Sequence, residues 1–190
     1  MERTEMVKRA ETVGRAETVD VRVQNRVSAY AIAVEEDRLL LARLSDASPV
    51  FRPGLWHLPG GGIDPGEQPV EALGRELREE TGLELTTAQL LDARTYAAQR
   101  RGVSWHLTAL FYAVGLRPGA PSVTEIGGST EAAVWTPVAD LHDSALSPPT
   151  ADALRLFVPK IRSGSAGHSQ DHGLPHGSGL GSGPASADSP

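Results

Sequence analysis

The stretch from Pro69 to Gly82 constrains this chain most, because the sequence marks both ends of a helix and gives its faces different chemistry. Proline is favoured in the first turn of a helix and glycine just past its end, so these residues bracket a predicted helix over Pro69–Thr81. At about 100° per residue, the apolar side chains between them form one narrow stripe. That stripe consists of Val70, Leu73 and Leu77. Such a helix needs a second layer to cover the stripe, which predicts a layered fold.

Three carboxylates occupy the flank of the predicted helix beside the apolar stripe. Glu76, Glu79 and Glu80 fall together there, whereas Arg75 and Arg78 are predicted on the far side, toward solvent. Like charges three or four positions apart on a helix repel one another by some tenths of a kcal/mol. A hard divalent cation such as Mg²⁺ converts that repulsion into binding, since it prefers carboxylate oxygens. An exposed helix with an Arg75–Glu79 ion pair is the alternative, and the spacing alone favours that alternative.

Glycine is concentrated before the helix and also occurs within it. Gly60, Gly61 and Gly62 are predicted to form a loop whose backbone can lie close to an ion or a phosphate, because no side chain intervenes. Gly74, in mid-helix, costs about 1 kcal/mol relative to alanine, which predicts that the helix closely approaches a sheet. Together with the carboxylates, these glycines indicate metal-assisted attack on a phosphate-containing substrate.

The rest of the chain alternates apolar runs with polar connections, which predicts a mixed α/β domain with more strand than helix. Val27–Val34 and Arg38–Leu44 are predicted to pair as a β-hairpin around a polar tip. A second helix is expected at about Thr150–Val158, where Pro159 ends or kinks it. The remaining predicted strands are Trp56–Leu58, Leu90–Ala98, Trp105–Leu116 and Ala132–Trp135.

The two ends of the chain differ in composition from the part between them. Residues 1–23 form a charged extension that is predicted to be mobile or to add an edge strand, and residues 24–162 form the globular domain. Gly, Ser, Pro and His dominate residues 163–190, which cannot bury enough apolar surface to offset the entropy of ordering. That segment is predicted to be a flexible tail.

Composition excludes several classes of function. The chain contains no cysteine, which excludes a disulfide scaffold, a thiol nucleophile and a Cys-ligated metal site. A formal net charge of −6 argues against general binding to DNA or RNA, because phosphate contacts need a basic face. No apolar run reaches about 18–20 residues, and the charged start lacks the apolar region of a signal peptide. We therefore expect a soluble, cytoplasmic protein with neither a membrane nor a nucleic acid as partner.

The segment around the predicted helix resembles the Nudix box, the signature of the Nudix hydrolase family. The box is written Gly, five residues, Glu, seven residues, Arg-Glu, an aliphatic residue, any residue, Glu-Glu, any residue, Gly and an aliphatic residue, a spacing that this chain matches. The residues at the specified positions are Gly61, Glu67, Arg75, Glu76, Leu77, Glu79, Glu80, Gly82 and Leu83. The Trp56–Gly60 segment and the Trp135–Leu141 segment also resemble the family. The resemblance covers about residues 24–160 and neither tail.

The resemblance implies a fold and a set of roles. Nudix proteins share an α/β/α sandwich with a central mixed β-sheet, on which the box forms a loop, a helix and a second loop. The family binds Mg²⁺ or Mn²⁺ through three glutamates of the box and one backbone carbonyl before it. The matching residues here are Glu76, Glu79, Glu80 and Gly60. Other box residues hold the loop and orient those glutamates. Their matches are Gly61, Glu67, Arg75 and Gly82.

Outside the box, the candidates rest on less specific patterns. Many family members carry a further carboxylate on a loop after the central strands, for which Glu125 and Glu131 are the candidates here. We predict Glu131 as a catalytic residue, while the general base stays open between Glu76, Glu125 and Glu131. Arg43, on a core strand, is a candidate substrate-binding residue because its guanidinium is always charged. The basic connection Arg100–Arg101 either meets the substrate or is only solvated.

These features predict a Nudix hydrolase that uses Mg²⁺ or Mn²⁺ to cleave a phosphoanhydride bond in a nucleoside diphosphate linked to another moiety. The expected partner is a small molecule of the nucleotide or nucleotide-sugar type. A non-catalytic Nudix-fold nucleotide sensor is the alternative, although replacement of Glu79 or Glu80 would have favoured it more. A family member that isomerises a prenyl diphosphate usually adds a catalytic cysteine, which this chain lacks. Many relatives are homodimers, and both a monomer and a homodimer are compatible with the sequence.

Overall fold

The described part of the chain is built from eight strands and three α-helices. A computed structural model describes residues 22–166 of the 190-residue chain. The predicted mobile extension and the predicted tail fall largely on residues 1–21 and 167–190, which lie outside this range. The elements are β1 (Arg22–Ile32), β2 (Val34–Glu35), β3 (Arg38–Leu44), β4 (Trp56–His57), β5 (Gly60–Gly62), α1 (Pro69–Thr81), β6 (Leu85–Arg100), β7 (Val103–Leu116), β8 (Thr130–Pro137), α2 (Pro148–Leu156) and α3 (Val158–Ala166).

The first of two sheets is mixed and has the strand order β5-β1-β7-β6. β1 and β7 pair in parallel over their length, from Arg22 opposite Val103 to Ile32 opposite Ala113. β6 and β7 are antiparallel and are joined by a tight turn at Arg101 and Gly102, whose φ angles of 50° and 74° are left-handed. β7 is central in this sheet, as its apolar sequence predicts.

The predicted hairpin of Val27–Val34 with Arg38–Leu44 is only partly correct. Only the two-residue strand β2 pairs with β3, whereas the longer β1 leaves for the first sheet and pairs with β7. The chain changes sheets at Ala33, which is buried and whose carbonyl accepts a 3.1 Å hydrogen bond from the Leu40 amide. The apolar run that resembled one arm of a hairpin therefore covers parts of two strands in different sheets.

β3 is the centre of the second sheet. β8 pairs with β3 antiparallel from Arg38 opposite Pro137 to Leu44 opposite Thr130, with a bulge at Arg43 and Leu44. β2 and β4 also pair with β3 antiparallel. The glycines after β4 were predicted as a loop, but they form β5, which pairs antiparallel with β1 in the first sheet. Glycine suits this short strand because it lets two backbones lie unusually close together.

Helix α1 has the predicted bounds, and it covers one face of the sheets. Leu73 and Leu77 are fully buried against small residues of β1, which let the helix approach closely. Val70 was predicted to share this stripe, but it is 44% exposed and belongs to neither apolar cluster of the described residues. Gly74 was predicted to mark a close approach, yet a Cβ there would lie 3.7 Å from Leu85 Cδ2, which is ordinary contact. Glycine is therefore not required at position 74.

Helices α2 and α3 cover the other face. Phe157 and Val158 pack in a second apolar cluster with Leu39, Leu41 and Phe111. β1, β3 and β7 contribute side chains to both clusters, whereas β6 is largely exposed. Pro159 acts as predicted, since α2 ends at Leu156 and α3 restarts at Val158. The predicted α/β/α layering with mixed strands is confirmed. β1 begins at Arg22 and α3 ends at Ala166, so these two elements cross the predicted domain boundaries by a few residues.

Within residues 22–166, no helix combines the length and the apolar character that crossing a membrane requires.

Candidate active site

Glu80 is a carboxylate buried under the loop that precedes α1. Its side chain is only 2% exposed, and its Oε2 accepts a 2.8 Å hydrogen bond from the Gly60 amide. Its Oε1 accepts from Thr130 Oγ1 at 2.6 Å and from Ser129 Oγ at 3.3 Å. Burial raises the pKa of Glu80 to about 7, although these donors oppose the shift. Glu80 therefore connects the box helix to β5 on one side and to the start of β8 on the other.

Glu76 lies one helical turn earlier and faces the glycine strand. A Cβ on Gly61 would lie 2.5 Å from Glu76 Oε1, so the carboxylate occupies the space that any side chain at position 61 would need. Burial raises the pKa of Glu76, against the lowering effect of Arg75. Its Oε1 accepts a 2.9 Å hydrogen bond from Arg75. Within the described range, Glu76 Oε2 has no hydrogen-bond donor and remains available to a ligand.

Arg75 is not directed to solvent as its helical position predicts. Its guanidinium makes a bidentate pair with Glu67, with both N···O distances 2.9 Å, and donates to the Gly62 carbonyl at 3.1 Å. Nη1 also contacts Glu76 at 2.9 Å and Glu79 at 3.2 Å. The pKa of Glu67 is lowered by its hydrogen bonds from Arg75, and that of Arg75 is raised correspondingly. The long Arg75 side chain curls back because the loop before α1 brings Glu67 to it.

Gly60 and Gly82 adopt backbone conformations that other residues rarely occupy. Gly60 has φ 132°, and a Cβ there would lie 2.1 Å from the Ala29 carbonyl oxygen on β1. Gly82 ends α1 in the left-handed region at φ 68°, and its amide donates to the Arg78 carbonyl at 2.9 Å. The first glycine lets β5 lie against β1, and the second ends the helix directly after Glu80.

The carboxylates of α1 are ligands of the type that a hard cation prefers, but their side chains do not form a complete ligand set in this geometry. Within residues 22–166, no group of three or more His, Asp or Glu side chains converges as metal ligands. Arg75 Nη1 holds one oxygen each of Glu76 and Glu79, and the second oxygen of each accepts no hydrogen bond from any described residue. These free carboxylate oxygens, with Glu80 beneath them, fit Mg²⁺ or Mn²⁺ by ligand type.

Glu131 and Arg43 pair with each other instead of joining the glutamates of α1. Arg43 Nη1 and Glu131 Oε1 are 3.2 Å apart, and both side chains are about half exposed. Thr130, the preceding residue on β8, is the one that contacts Glu80. Glu125 is exposed, and its backbone amide donates to the Glu79 carbonyl at 3.1 Å. The structure therefore joins Glu76 and Glu79 through Arg75, places Glu80 on the same helix, and pairs Glu131 with Arg43 instead of with these glutamates.

A cavity of about 90 Å³ opens beside the box residues and reveals candidates that the sequence analysis missed. Glu76, Glu80, Gly60 and Gly61 line one part of it. Arg26, Tyr30, Phe51 and His57 line other parts. Alternate residues of a strand lie on the same face, so residues 26, 28 and 30 share one face of β1. Extending the predicted strand back to residue 22 could therefore have identified Arg26 and Tyr30 from the sequence. No local signal identifies His57 or Phe51.

His57 and Tyr30 are both uncharged at neutral pH in this cavity. Burial lowers the pKa of His57 to about 3 and raises that of Tyr30 to about 12. His57 Nδ1 lies 2.5 Å from Ser147 Oγ, and its ring meets the Tyr30 ring edge-on with centroids 4.7 Å apart. Phe51 also packs against the imidazole, with centroids 5.5 Å apart. The cavity thus joins an acidic wall to an uncharged aromatic wall.

Arg26, on β1, supplies a positive charge to the lining of this cavity. Its Nε donates to Ser28 Oγ at 3.3 Å, and a Cβ on Gly62 would lie 2.6 Å from its Nη2. Within residues 22–166, no carboxylate forms an ion pair with Arg26. Its charge is therefore available to an anion that enters the cavity.

Comparison with known proteins agrees with this geometry. The NUDIX domain family model matches residues 24–159. The nucleoside triphosphatase NudI of Escherichia coli O1:K1 is 33% identical over 125 residues, which are 62% of this chain and 85% of NudI. A MutT NUDIX hydrolase from Burkholderia pseudomallei is 31% identical, with a TM-score of 0.56 over 69% of this chain and 96% of that one. The MutT protein from Methanosarcina mazei Go1 shares the fold, with a TM-score of 0.56 at 22% identity over 73% and 96% of the two chains.

The family match, the identity to these relatives and the shared fold all cover the segment that carries the box. Glu76, Glu79 and Glu80 lie at the specified positions of that box, on a helix with the predicted bounds. The chain therefore belongs to the Nudix family and is one of its pyrophosphohydrolases.

Proposed function

We propose that this enzyme hydrolyses a phosphoanhydride bond in a nucleoside triphosphate, or in another nucleoside diphosphate derivative, with Mg²⁺ or Mn²⁺ as cofactor. The proposal rests on one observation: Glu76, Glu80 and Arg26 line the same small cavity beside the glycine strand, and Arg26 forms no ion pair within residues 22–166. The phosphates of a nucleotide match this lining, since they bind a divalent cation held by carboxylates and accept hydrogen bonds from a guanidinium. The name of NudI, a nucleoside triphosphatase, favours a triphosphate as the first substrate to test.

In this proposal, Glu76, Glu79 and Glu80 hold the divalent cation with the Gly60 carbonyl. When bound, the cation would activate a water molecule and neutralise negative charge on the phosphate oxygens. Arg75 keeps Glu76 and Glu79 close together by holding one oxygen of each. Glu67 in turn fixes Arg75 through the bidentate pair, so Glu67 and Arg75 act as positioning residues.

Glu76 is the proposed general base. It lines the cavity, and its Oε2 is free of donors from the described residues and can accept a proton. Glu131 and Glu125 are the alternatives, but Glu131 is paired with Arg43 and neither residue lines this cavity. Of the three candidates that the sequence leaves open, Glu76 is therefore the proposed base.

Arg26 is the proposed phosphate contact, in place of Arg43. Arg26 lines the cavity beside Gly60 and Gly61, whereas Arg43 is engaged by Glu131 outside it. A guanidinium can donate two parallel hydrogen bonds to phosphate oxygens. Arg26 would thus orient the phosphate chain toward the glutamates of α1.

The test is a screen of the common nucleoside triphosphates and several nucleotide sugars with Mg²⁺ or Mn²⁺, with the phosphorylated products identified directly. The wild type should release a nucleotide together with phosphate, pyrophosphate or a sugar phosphate. Glu79→Gln should lose most of that activity, and Glu84→Gln is the matched control because Glu84 is exposed just beyond α1. If the wild type binds nucleotides but releases no product with either metal, the proposal is wrong and a sensor is favoured.

A further inference from the structure

The loop between β3 and β4 forms one wall of the cavity. Residues 45–51, here called the wall loop, contribute Ser48, Pro49, Val50 and Phe51 to the cavity lining. Ser48, Val50 and Phe51 are buried although the loop has no regular secondary structure. The position of this loop therefore sets the width of the cavity opposite Glu76 and Gly61.

The base of the wall loop is tied to the second sheet. The Ser45 amide donates to the Ser129 carbonyl at 2.8 Å, and Ser45 Oγ donates to the Gly128 carbonyl at 2.7 Å. Ser129 Oγ also donates to Glu80 at 3.3 Å. This end of the loop is thus fixed relative to the acidic wall of the cavity.

The middle of the wall loop is held by the tip of a distant hairpin. Arg100 Nε donates to the Ser48 carbonyl at 2.7 Å, and Arg100 Nη2 donates to the Asp46 carbonyl at 3.2 Å. Arg101 Nη2 donates to the same Asp46 carbonyl at 2.6 Å. These contacts join residues 52 to 55 positions apart in the chain. Two consecutive arginines thus satisfy backbone carbonyls that the loop cannot satisfy by itself.

The turn between β6 and β7 brings both arginines to the loop. Arg101 has φ 50° and Gly102 has φ 74°, a geometry that matches the twist of a two-residue β-turn. Arg100 ends β6 and Arg101 begins the turn, so their side chains leave the hairpin tip close together. Neither residue lines the cavity of Glu76 and Glu80.

We infer that Arg100 and Arg101 position the wall loop and so determine how tightly the enzyme binds its substrate. They act through the loop rather than on the reacting atoms, since their side-chain hydrogen bonds within residues 22–166 go to the carbonyls of Ser48 and Asp46 and not to the glutamates of α1. Loss of the two arginines should therefore raise KM and leave kcat nearly unchanged. The expected change in KM rests on the proposed function. The hydrogen bonds between the two arginines and the wall loop do not depend on it.

The variants are Arg100→Gln, Arg101→Gln and the double variant, with Arg100→Lys as a conservative partner. Arg117→Gln is the matched control, because Arg117 is an exposed arginine just after the far end of β7. Hydrogen exchange of the peptide that covers residues 45–51 is measured on the full chain without nucleotide. KM and kcat are measured with Mg²⁺ and the ribonucleoside triphosphate that the wild type hydrolyses best.

In the double variant we expect faster exchange in the wall loop, unchanged exchange in α1, and KM higher by about tenfold with kcat within about twofold. Arg100→Lys should recover part of the affinity, since an ammonium can still donate to one carbonyl. Unchanged exchange in the loop overturns the inference, and so does a lower kcat with unchanged KM. If the wild type hydrolyses no nucleotide, the proposed function fails, while the exchange measurement still decides whether the arginines hold the loop.

Discussion

Thr130 donates a 2.6 Å hydrogen bond to Glu80, whereas the next residue, Glu131, forms an ion pair with Arg43. Arg43 pairs with Ala132 and Leu44 pairs with Thr130, so Glu131 is the extra residue of a β-bulge and has no partner in the ladder. The loop carboxylate that the sequence offers as a catalytic residue is therefore engaged elsewhere. A hydroxyl that carries no sequence signal occupies the position next to Glu80.

The first prediction contrasts Glu131 with Glu76. Glu131→Gln should leave kcat within about threefold of the wild type, because its exposed ion pair with Arg43 contributes at most about 1 kcal/mol. Glu76→Gln should lower kcat by about 10²-fold or more, since it removes both the proposed base and a proposed cation ligand. Steady-state kinetics over a range of pH measure both. A large fall in kcat for Glu131→Gln, with loss of the acidic limb of the profile, would restore Glu131 as the base.

The second prediction is that Glu80→Gln lowers kcat and raises the free energy of unfolding. Its kcat should fall by at least about 10²-fold, equivalent to roughly 3 kcal/mol of transition-state stabilisation. The pKa of Glu80 is raised from 4.5 to about 7 in the folded state, so the native protein binds more protons than the unfolded chain between these values. Stability from this group is present below pH 4.5 and is lost as pH rises through 7. In EDTA at about pH 8, the amide should raise the free energy of unfolding by about 1–3 kcal/mol.

Urea unfolding in EDTA measures the stability half of that prediction, with Glu84→Gln as an exposed control. Urea unfolding of both proteins is then repeated with Mg²⁺, because a cation bound by the Glu80 carboxylate should stabilise the wild type more than Glu80→Gln. A glutamine variant that is less stable than the wild type in EDTA at about pH 8 would show that the hydrogen bonds to Glu80 outweigh the cost of burying its charge.

The ends of α1 and the positions of most strands could be predicted, because their signals are local. Pro69 and Gly82 bracket the helix by their own backbone preferences, and the apolar runs of β7 and β8 identify these strands without reference to the rest of the chain. The turn of the Arg75 side chain toward Glu67 could not be predicted from a helical projection. It depends on Glu67 in a loop that folds back along the helix, and a projection contains no loop.

The cavity as a whole could not be predicted from the sequence either, because it depends on contacts between distant segments of the chain. Arg26 comes from β1, His57 from β4 and Phe51 from the wall loop, and only the pairing of distant strands brings them together. Ser147, which contacts His57, is 90 positions away in the chain. The box glutamates were predictable because three of them share one helix, whereas other residues of the cavity come from separate elements, among them β1, β4 and the wall loop.

The third prediction separates two glycines of the box segment. Gly74→Ala should raise the free energy of unfolding by up to about 1 kcal/mol, since the new methyl group lies 3.7 Å from Leu85 Cδ2 and alanine is the better helix former. Gly60→Ala should instead be strongly destabilising, because its Cβ would lie 2.1 Å from the Ala29 carbonyl oxygen. Thermal and urea unfolding measure both. A destabilised Gly74→Ala would mean that α1 lies closer to the sheet than this contact indicates.

The fourth prediction concerns His57 and the acid side of the stability profile. Burial lowers the pKa of His57 to about 3, against an ordinary value of 6.5, so the unfolded chain binds more protons than the native state between these values. Stability from this group is fully present above pH 6.5 and is lost as pH falls toward 3. From about pH 6.5 to about pH 5 the loss should be about 2 kcal/mol. Glu80 changes stability in the opposite direction throughout this range, which lies between 4.5 and 7, so the wild-type curve alone does not isolate His57.

Comparison of the wild type with His57→Asn isolates it, because the contribution of Glu80 is common to both proteins. Asparagine does not titrate and can still hydrogen-bond to Ser147, so the free energy of unfolding of His57→Asn should fall less between about pH 6.5 and about pH 5, by about 2 kcal/mol. His106→Asn, at an exposed position on β7, is the control and should follow the wild-type curve. If the His57→Asn and wild-type curves stay parallel over this range, the imidazole is not held neutral by burial and its pKa in the folded protein is close to 6.5.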